Sequence, residues 1–312
     1  MNHRLEKGSI VEGLVALLAL SIVIFVILIP KSTRQNYVDK NSSLRGDSYS
    51  QNLFGEKVAP SKTAGTGTIK VSVGNAKYTS DPMEEYIYIE NRGKTRVDIT
   101  GWRLENSKSS RRYVVGSGFT QFSSDVGIIP QGAKIISPYG GSSLQNITLE
   151  PGDRASVVSG GPGNISPYNV VSFKENLCTG YLEEDYTFPS GHEMSCVRPS
   201  NEVGLSGLDK ECKNFIDTLR VCHTPKYEGL DRDREKCRGC VDGKEGLSSM
   251  CVEYIQKHFS YPSCLANHMS DKNFEGDVWH IYLHRPWEMW ADSDETIYLY
   301  DSKGGLISTT SY

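Results

Sequence analysis

The chain has 312 residues, 23% of them charged and 38% hydrophobic, a globular composition that excludes both a disordered polymer and a wholly membrane-embedded protein and is compatible with one large or two modest domains. Thirty glycines, thirteen prolines and seventeen tyrosines favour a turn-rich β protein with an aromatic core over a helical bundle. The formal net charge is −4, and Lys and Arg alternate with Asp and Glu, as in residues 231–238; the basic stripe that neutralises phosphates is missing, so no nucleic-acid partner is expected.

Residues 14–29, LVALLALSIVIFVILI, carry no charge. Extended back through Ser9, the run reaches about 20 residues, enough to cross a bilayer core at the cost of including Glu12. It is long for a cleaved secretory signal, and no A-x-A-like site follows. The expectation is an uncleaved transmembrane helix within residues 1–30, anchoring a single-pass protein in the cell membrane. Arg4 and Lys7 precede the span while Lys31, Arg34 and Lys40 follow it, so charge does not orient it. Residues 7–12, KGSIVE, also resemble the prepilin signal of type IV pilins and pseudopilins, which is cut after its glycine. Cleavage after Gly8 would make Glu12 the fourth mature residue, where that family has its glutamate fifth. Residues 31–66 are rich in Ser, Asn, Lys and Gly without a sustained period, and read as a flexible tether.

Strand texture begins at Thr68. Ile69, Val71 and Val73 alternate with polar residues, and EYIYIE at 85–90 runs into Asn91-Arg92-Gly93, a turn signal. In the next segment Val97 and Ile99 share one parity while Trp102 and Leu104 share the other. All four face inward only if the strand bulges or bends near Thr100-Gly101. Further strands are expected at 113–115, 134–136, 146–149 and 155–158, and a closing hairpin at 296–300 and 306–312 around Asp301-Ser302-Lys303-Gly304-Gly305. Between them, residues 174–276 hold all eight cysteines and two amphipathic helices, over 205–221 and 247–259. This region reads as an insertion in a β domain.

The β segments resemble the lamin tail domain, an immunoglobulin-like β-sandwich. The resemblance is carried by residues 85–91, by Val97-Asp98-Ile99-Thr100-Gly101-Trp102-Arg103-Leu104, by Ile129-Pro130-Gln131-Gly132, by Leu149-Glu150-Pro151-Gly152 and by the closing hairpin to Tyr312. It covers about 67–173 and 277–312. It implies a mainly β sandwich over 67–312, interrupted by the insertion, with Asp98, Gly101, Trp102 and Tyr312 as motif or core residues. It also implies an interaction module with no catalytic residues to carry over.

Cys178, Cys196, Cys212, Cys222, Cys237, Cys240, Cys251 and Cys264 are an even set in under ninety residues. In a chain with a membrane signal this is the arithmetic of a disulfide framework, open to 105 pairings. Zinc is the rival, because Cys237-x-x-Cys240 has knuckle spacing and His223, His258 and His268 are near, but no second close pair exists. Disulfides require an oxidising compartment, which places residues 31–312 outside the cytoplasm.

The search for chemistry yields little. His192-Glu193 lacks the second histidine of a zincin, with Cys196 in its place. Ser159-Gly160-Gly161-Pro162-Gly163 lacks a phosphate-loop ending. Asp292, Asp294 and Glu295 read as a polar turn rather than a calcium site. Asn41, Asn146 and Asn164 begin N-x-Ser/Thr sequons. His280 and His284 share a strand face and read as solvent-facing. Trp287, Met289 and Trp290 read as a core plug in preference to an exposed aromatic patch. No catalytic, cofactor or metal residues are assigned. The expected function is a non-catalytic extracytoplasmic binding or scaffold module, partnered by the membrane through its N-terminal helix and by an unknown protein or surface glycan. The alternatives are a pilin-like filament subunit, and a hydrolase or nuclease with its site in the insertion.

Overall fold

The computed structural model describes residues 68–312 apart from 109–111, 116–117, 122–125, 163–167, 169, 185–187, 189–193 and 229–238. The anchor, the tether, the KGSIVE segment, Asn41, Asn164, His192, Glu193 and Cys237 lie outside the described residues. No helix among the described residues is long and apolar enough to cross a membrane.

The chain is mainly β. Strands β1 (Ile69–Ser72), β2 (Tyr86–Asn91), β9 (Arg154–Val158), β10 (Phe173–Asn176) and β13 (Glu275–Tyr282) form a five-stranded sheet in the order β1-β2-β9-β13-β10. Every pairing in it is antiparallel except β9 with β13, which is parallel. A second sheet, β15-β14-β4-β7, comprises β4 (Arg103–Glu105), β7 (Val126–Ile128), β14 (Thr296–Tyr300) and β15 (Leu306–Ser311). Short pairs add β3 (Val97–Asp98) with β8 (Thr148–Leu149), β5 (Arg112–Val115) with β6 (Gly118–Gln121), and β11 (Tyr227–Glu228) with β12 (Cys240–Val241).

Both main sheets feed one core. The period-2 pattern of β2 turns Ile87 and Ile89 inward and Tyr86 and Tyr88 outward, as alternation on a pleated strand requires. Ile69, Ile87, Val157 and Trp279 from the first sheet meet Leu104, Ile297 and Leu299 from the second, with Trp102 and Trp290 among them. The parity change after Ile99 is a change of pairing partner. Residues 97–98 pair with β8, whereas residues 103–105 pair with β14 and β7. The corner between them is held by Asp98, whose carboxylate accepts from Thr100 N at 2.9 Å and Asn146 Nδ2 at 2.7 Å. Gly101 turns it with φ +75°, a left-handed conformation that costs a residue with a Cβ. Ile99, Trp102 and Leu104 thereby reach the same core.

The helices are α1 (Lys210–Ile216), α2 (Ser249–His258) and α3 (Tyr261–His268). Asp209, Ser248 and Ser260 cap them, each side chain accepting from the backbone N–H three residues on, the standard answer to unpaired N-terminal amides. A separate small core joins α1 and α2 through Leu208, Ile216, Val241, Ile255 and Phe259.

Four expectations are corrected. The insertion spans 177–274, because residues 174–176 complete β10 and Glu275 opens β13 in the same sheet. The helix expected over 205–221 is only α1, since the Asp209 cap starts it late and a 3-10 turn, Leu205–Gly207, stands before it. Residues 134–136 form no strand; isolated bridges at Gly132 and Ala133 precede them, and the Ile136 amide donates to the Tyr261 hydroxyl at 3.1 Å. His280 is not solvent-facing but fully buried. The insertion lies over the outer faces of β9, β13 and β10, where Val158, Tyr282 and Phe173 pack with Tyr181, Phe188, Tyr261 and Phe274. Residues 278–282 are therefore buried on both faces, and a strand covered on both sides does not alternate.

Candidate functional site

Within the insertion, a cleft of about 490 Å³ is lined by Glu184, Arg220, His223 and Lys226. The 3-10 helix Thr179–Glu184 delivers Glu184 at its last residue. Cys222, at φ +63°, turns the chain to present His223, and Asp242, at φ +48°, does the same after β12. The Cys196–Cys222 disulfide fixes the turn. His223 Nδ1 pairs with Glu184 Oε1, and its Nε2 lies 2.7 Å from Asp242 Oδ2. The remaining carboxylate oxygens are occupied as well, Glu184 Oε2 by Thr224 N and Asp242 Oδ1 by Lys226 N, both at 2.8 Å.

This arrangement has the composition of an acid–base site, with both ring nitrogens of its histidine turned to carboxylates. A general base must offer a lone pair to its substrate, and both His223 nitrogens face carboxylates. The cluster instead cross-links three segments, those carrying Glu184, His223 and Asp242. Arg220, with its guanidinium 3.9 Å from Glu184 and its side chain 77% exposed, stands at the rim. A second cleft of about 580 Å³ follows α1, lined by Lys210, Glu211, Asn214, Phe215, Thr218 and Lys244; its one ion pair, Lys244–Glu211 at 2.9 Å, is exposed.

The described cysteines of the insertion are oxidised. Cys178 pairs with Cys264, Cys196 with Cys222 and Cys212 with Cys251, and Cys240 is disulfide-bonded too. Bridged sulfurs have no thiolate to offer zinc. His223, His258 and His268, the histidines that completed the zinc reading, are each paired with carboxylates. No group of three or more His, Cys, Asp or Glu among the described residues is arranged to hold a metal ion.

The motif residues from the sequence sit in the β framework, away from these clefts. Trp102 is buried, Gly101 and Asp98 form the corner, and the Tyr312 hydroxyl donates to the Ala291 carbonyl at 2.7 Å. Ala291 belongs to the Trp287–Ala291 segment, in which Met289 and Trp290 are fully buried. Four side chains satisfy its backbone. Glu85 accepts from Met289 N at 2.6 Å and Trp290 N at 3.0 Å. Asn106 donates to Met289 O at 2.7 Å. Glu295 accepts from Ala291 N at 3.1 Å, and Tyr312 closes the set.

Sequence reasoning missed Glu85 and Asn106 and read Glu295 as part of a polar turn. The signal was present in the phase of the strands. Glu85 extends the inward parity of Ile87 and Ile89, and Glu295 extends that of Ile297 and Leu299. Their electrostatics diverge. Burial pushes Glu85 up to about 7 against the pull of its backbone donors and the Ser159 hydroxyl. Burial opposes ionisation of Glu295 too, but donors from Ser107, Thr296 and Ala291 outweigh it and hold its carboxyl below the usual range.

No protein-family model, curated protein or solved structure matches the chain.

Proposed function

We infer that the chain is a non-catalytic binding or scaffold module held outside the cytoplasm on a single N-terminal membrane span. In this reading the β framework is an immunoglobulin-like sandwich of the lamin-tail type, and the insertion is the element it displays. The oxidised cysteines of the insertion carry the inference, since structural disulfides persist in oxidising compartments. The uncharged apolar run at 14–29, extended back through Ser9, is long enough to span a bilayer and supports the anchor. Mutual pairing of His223, Glu184 and Asp242 supports binding over catalysis, because those groups are committed to one another. The partner is a protein or a surface glycan.

Protease shaving of intact cells, combined with membrane fractionation, tests the reading. The expected result is a chain in the membrane pellet whose C-terminal domain is cut without lysis. A C-terminal domain protected until the cells are broken overturns it.

A further inference from the structure

Glu202 and His268 are buried to within 6% of full burial, and they meet between the two apolar units of the insertion. His258 is the last residue of α2, which belongs with Ile255 and Phe259 to the small core. His268 is the last residue of α3, which belongs with Tyr261 and Leu265 to the cluster beneath the five-stranded sheet. Glu202 follows the 3-10 turn Pro199–Asn201. Its Oε1 lies 2.9 Å from His258 Nδ1 and 2.9 Å from His268 Nε2. The other nitrogen of His268, Nδ1, lies 2.8 Å from Asp271 Oδ2.

The chemistry of these contacts fixes a protonation state. An ionised carboxylate only accepts, and a neutral imidazole has one N–H. His268 facing a carboxylate at each nitrogen must therefore carry both protons and a positive charge. Removing one proton leaves a lone pair against a carboxylate oxygen in a buried site, which is repulsive and costly. His258 has no such requirement, because only its Nδ1 contacts a carboxylate.

We propose that Glu202, His258, His268 and Asp271 form a proton-operated latch between the two apolar units of the insertion, closed while His268 is charged and loosened when its proton leaves. Other groups also face the cluster. Tyr254 stacks on His258 with ring centroids 4.0 Å apart and donates its hydroxyl to Val203 O, and Asn267 Nδ2 lies 3.2 Å from His258 Nδ1. Burial and the Glu202 charge push the phenols of Tyr254 and Tyr181 up, so both stay neutral while His268 titrates. Burial opposes the charge on His268, but Asp271 and Glu202 outweigh it and raise its proton affinity above that of a free imidazole. The last-turn position on α3 adds to this, since a helix C-terminus favours a cation. With the folded value raised, the stabilisation is complete below about 6.5 and is lost as pH rises through the folded value.

The test uses the oxidised full chain with ring-15N histidine. NMR is expected to show His268 doubly protonated at pH 6, converting to a neutral tautomer above pH 6.5. Hydrogen exchange of α3 amides, normalised for intrinsic rates, is expected to lose protection across the same interval, by about tenfold for each unit by which folding raises the value. His268→Gln is expected to remove that pH dependence. Asp271→Asn, which alters a carboxylate 45% exposed and is expected to keep the fold, should shift the His268 midpoint down. A neutral His268 ring at pH 6, α3 protection that does not change between pH 6 and 9, or an unmoved midpoint in Asp271→Asn each overturns the latch.

Discussion

Glu85 shows how one buried carboxylate governs a segment two hundred residues away. It is fully buried, binds the amides of Met289 and Trp290, and accepts from Ser159 Oγ, a hydroxyl able to accept in turn when the carboxyl is protonated. Burial raises its value to about 7, so the folded state holds a proton that the unfolded chain releases near 4.5. Stability is then greatest below pH 4.5 and declines as pH rises through 7, by about 3 kcal/mol for this group alone. Denaturant melts from pH 4 to 8 should show that decline, and Glu85→Gln should flatten it while lowering stability at acid pH by about 1–3 kcal/mol, because the two amides donate to different carboxyl oxygens and the Gln NH2 in place of one of them cannot accept. The aromatic side of the same contact is Trp290, fully buried. Trp290→Ala should cost about 3–5 kcal/mol by chemical denaturation, a loss that an exposed binding patch would not show.

Among the elements, the corner at Gly101 and the approach at Gly132 make opposite demands on glycine. A Cβ at Gly101 would meet nothing within 4 Å, yet its φ is +75°. Gly101→Ala should therefore cost only the backbone term, about 1–2 kcal/mol. At Gly132 a Cβ would lie 2.8 Å from the Trp279 ring and 2.9 Å from Ser172 O, so Gly132→Ala should be the more damaging variant in the same melts. Alternation made β1, β2 and the closing hairpin readable, because each has one buried and one open face. It failed at β13, where the insertion covers the outer face and His280 lies 2.6 Å from Glu175, a partner no local pattern announces. The helix α3 was missed although Ser260 and Pro262 form a start signal, since the apolar period of α2 ends at Phe259. The cysteines announced bridges but not their pairing, which depends on tertiary approach alone.

At the scale of the molecule, three described bridges divide the labour. Cys178–Cys264 closes 86 residues and is worth about 4–5 kcal/mol on the loop-entropy account. Cys178, Cys264, Cys212 and Cys251 are buried at 0–2%, whereas Cys196 and Cys222 are half-buried. Graded reduction followed by alkylation and peptide mass analysis should thus label Cys196 and Cys222 first, with the β framework still folded. The position of β13 carries one more consequence. It lies between β9 and β10, but the chain makes both of those before it enters the insertion, and supplies β13, β14 and β15 only from residue 275 onward. During synthesis, neither main sheet can close until residues 275–311 have left the ribosome. Folding is then governed by contacts of high sequence separation, which slows it, and the edges of β9 and β10 that receive β13 stay open to association until then.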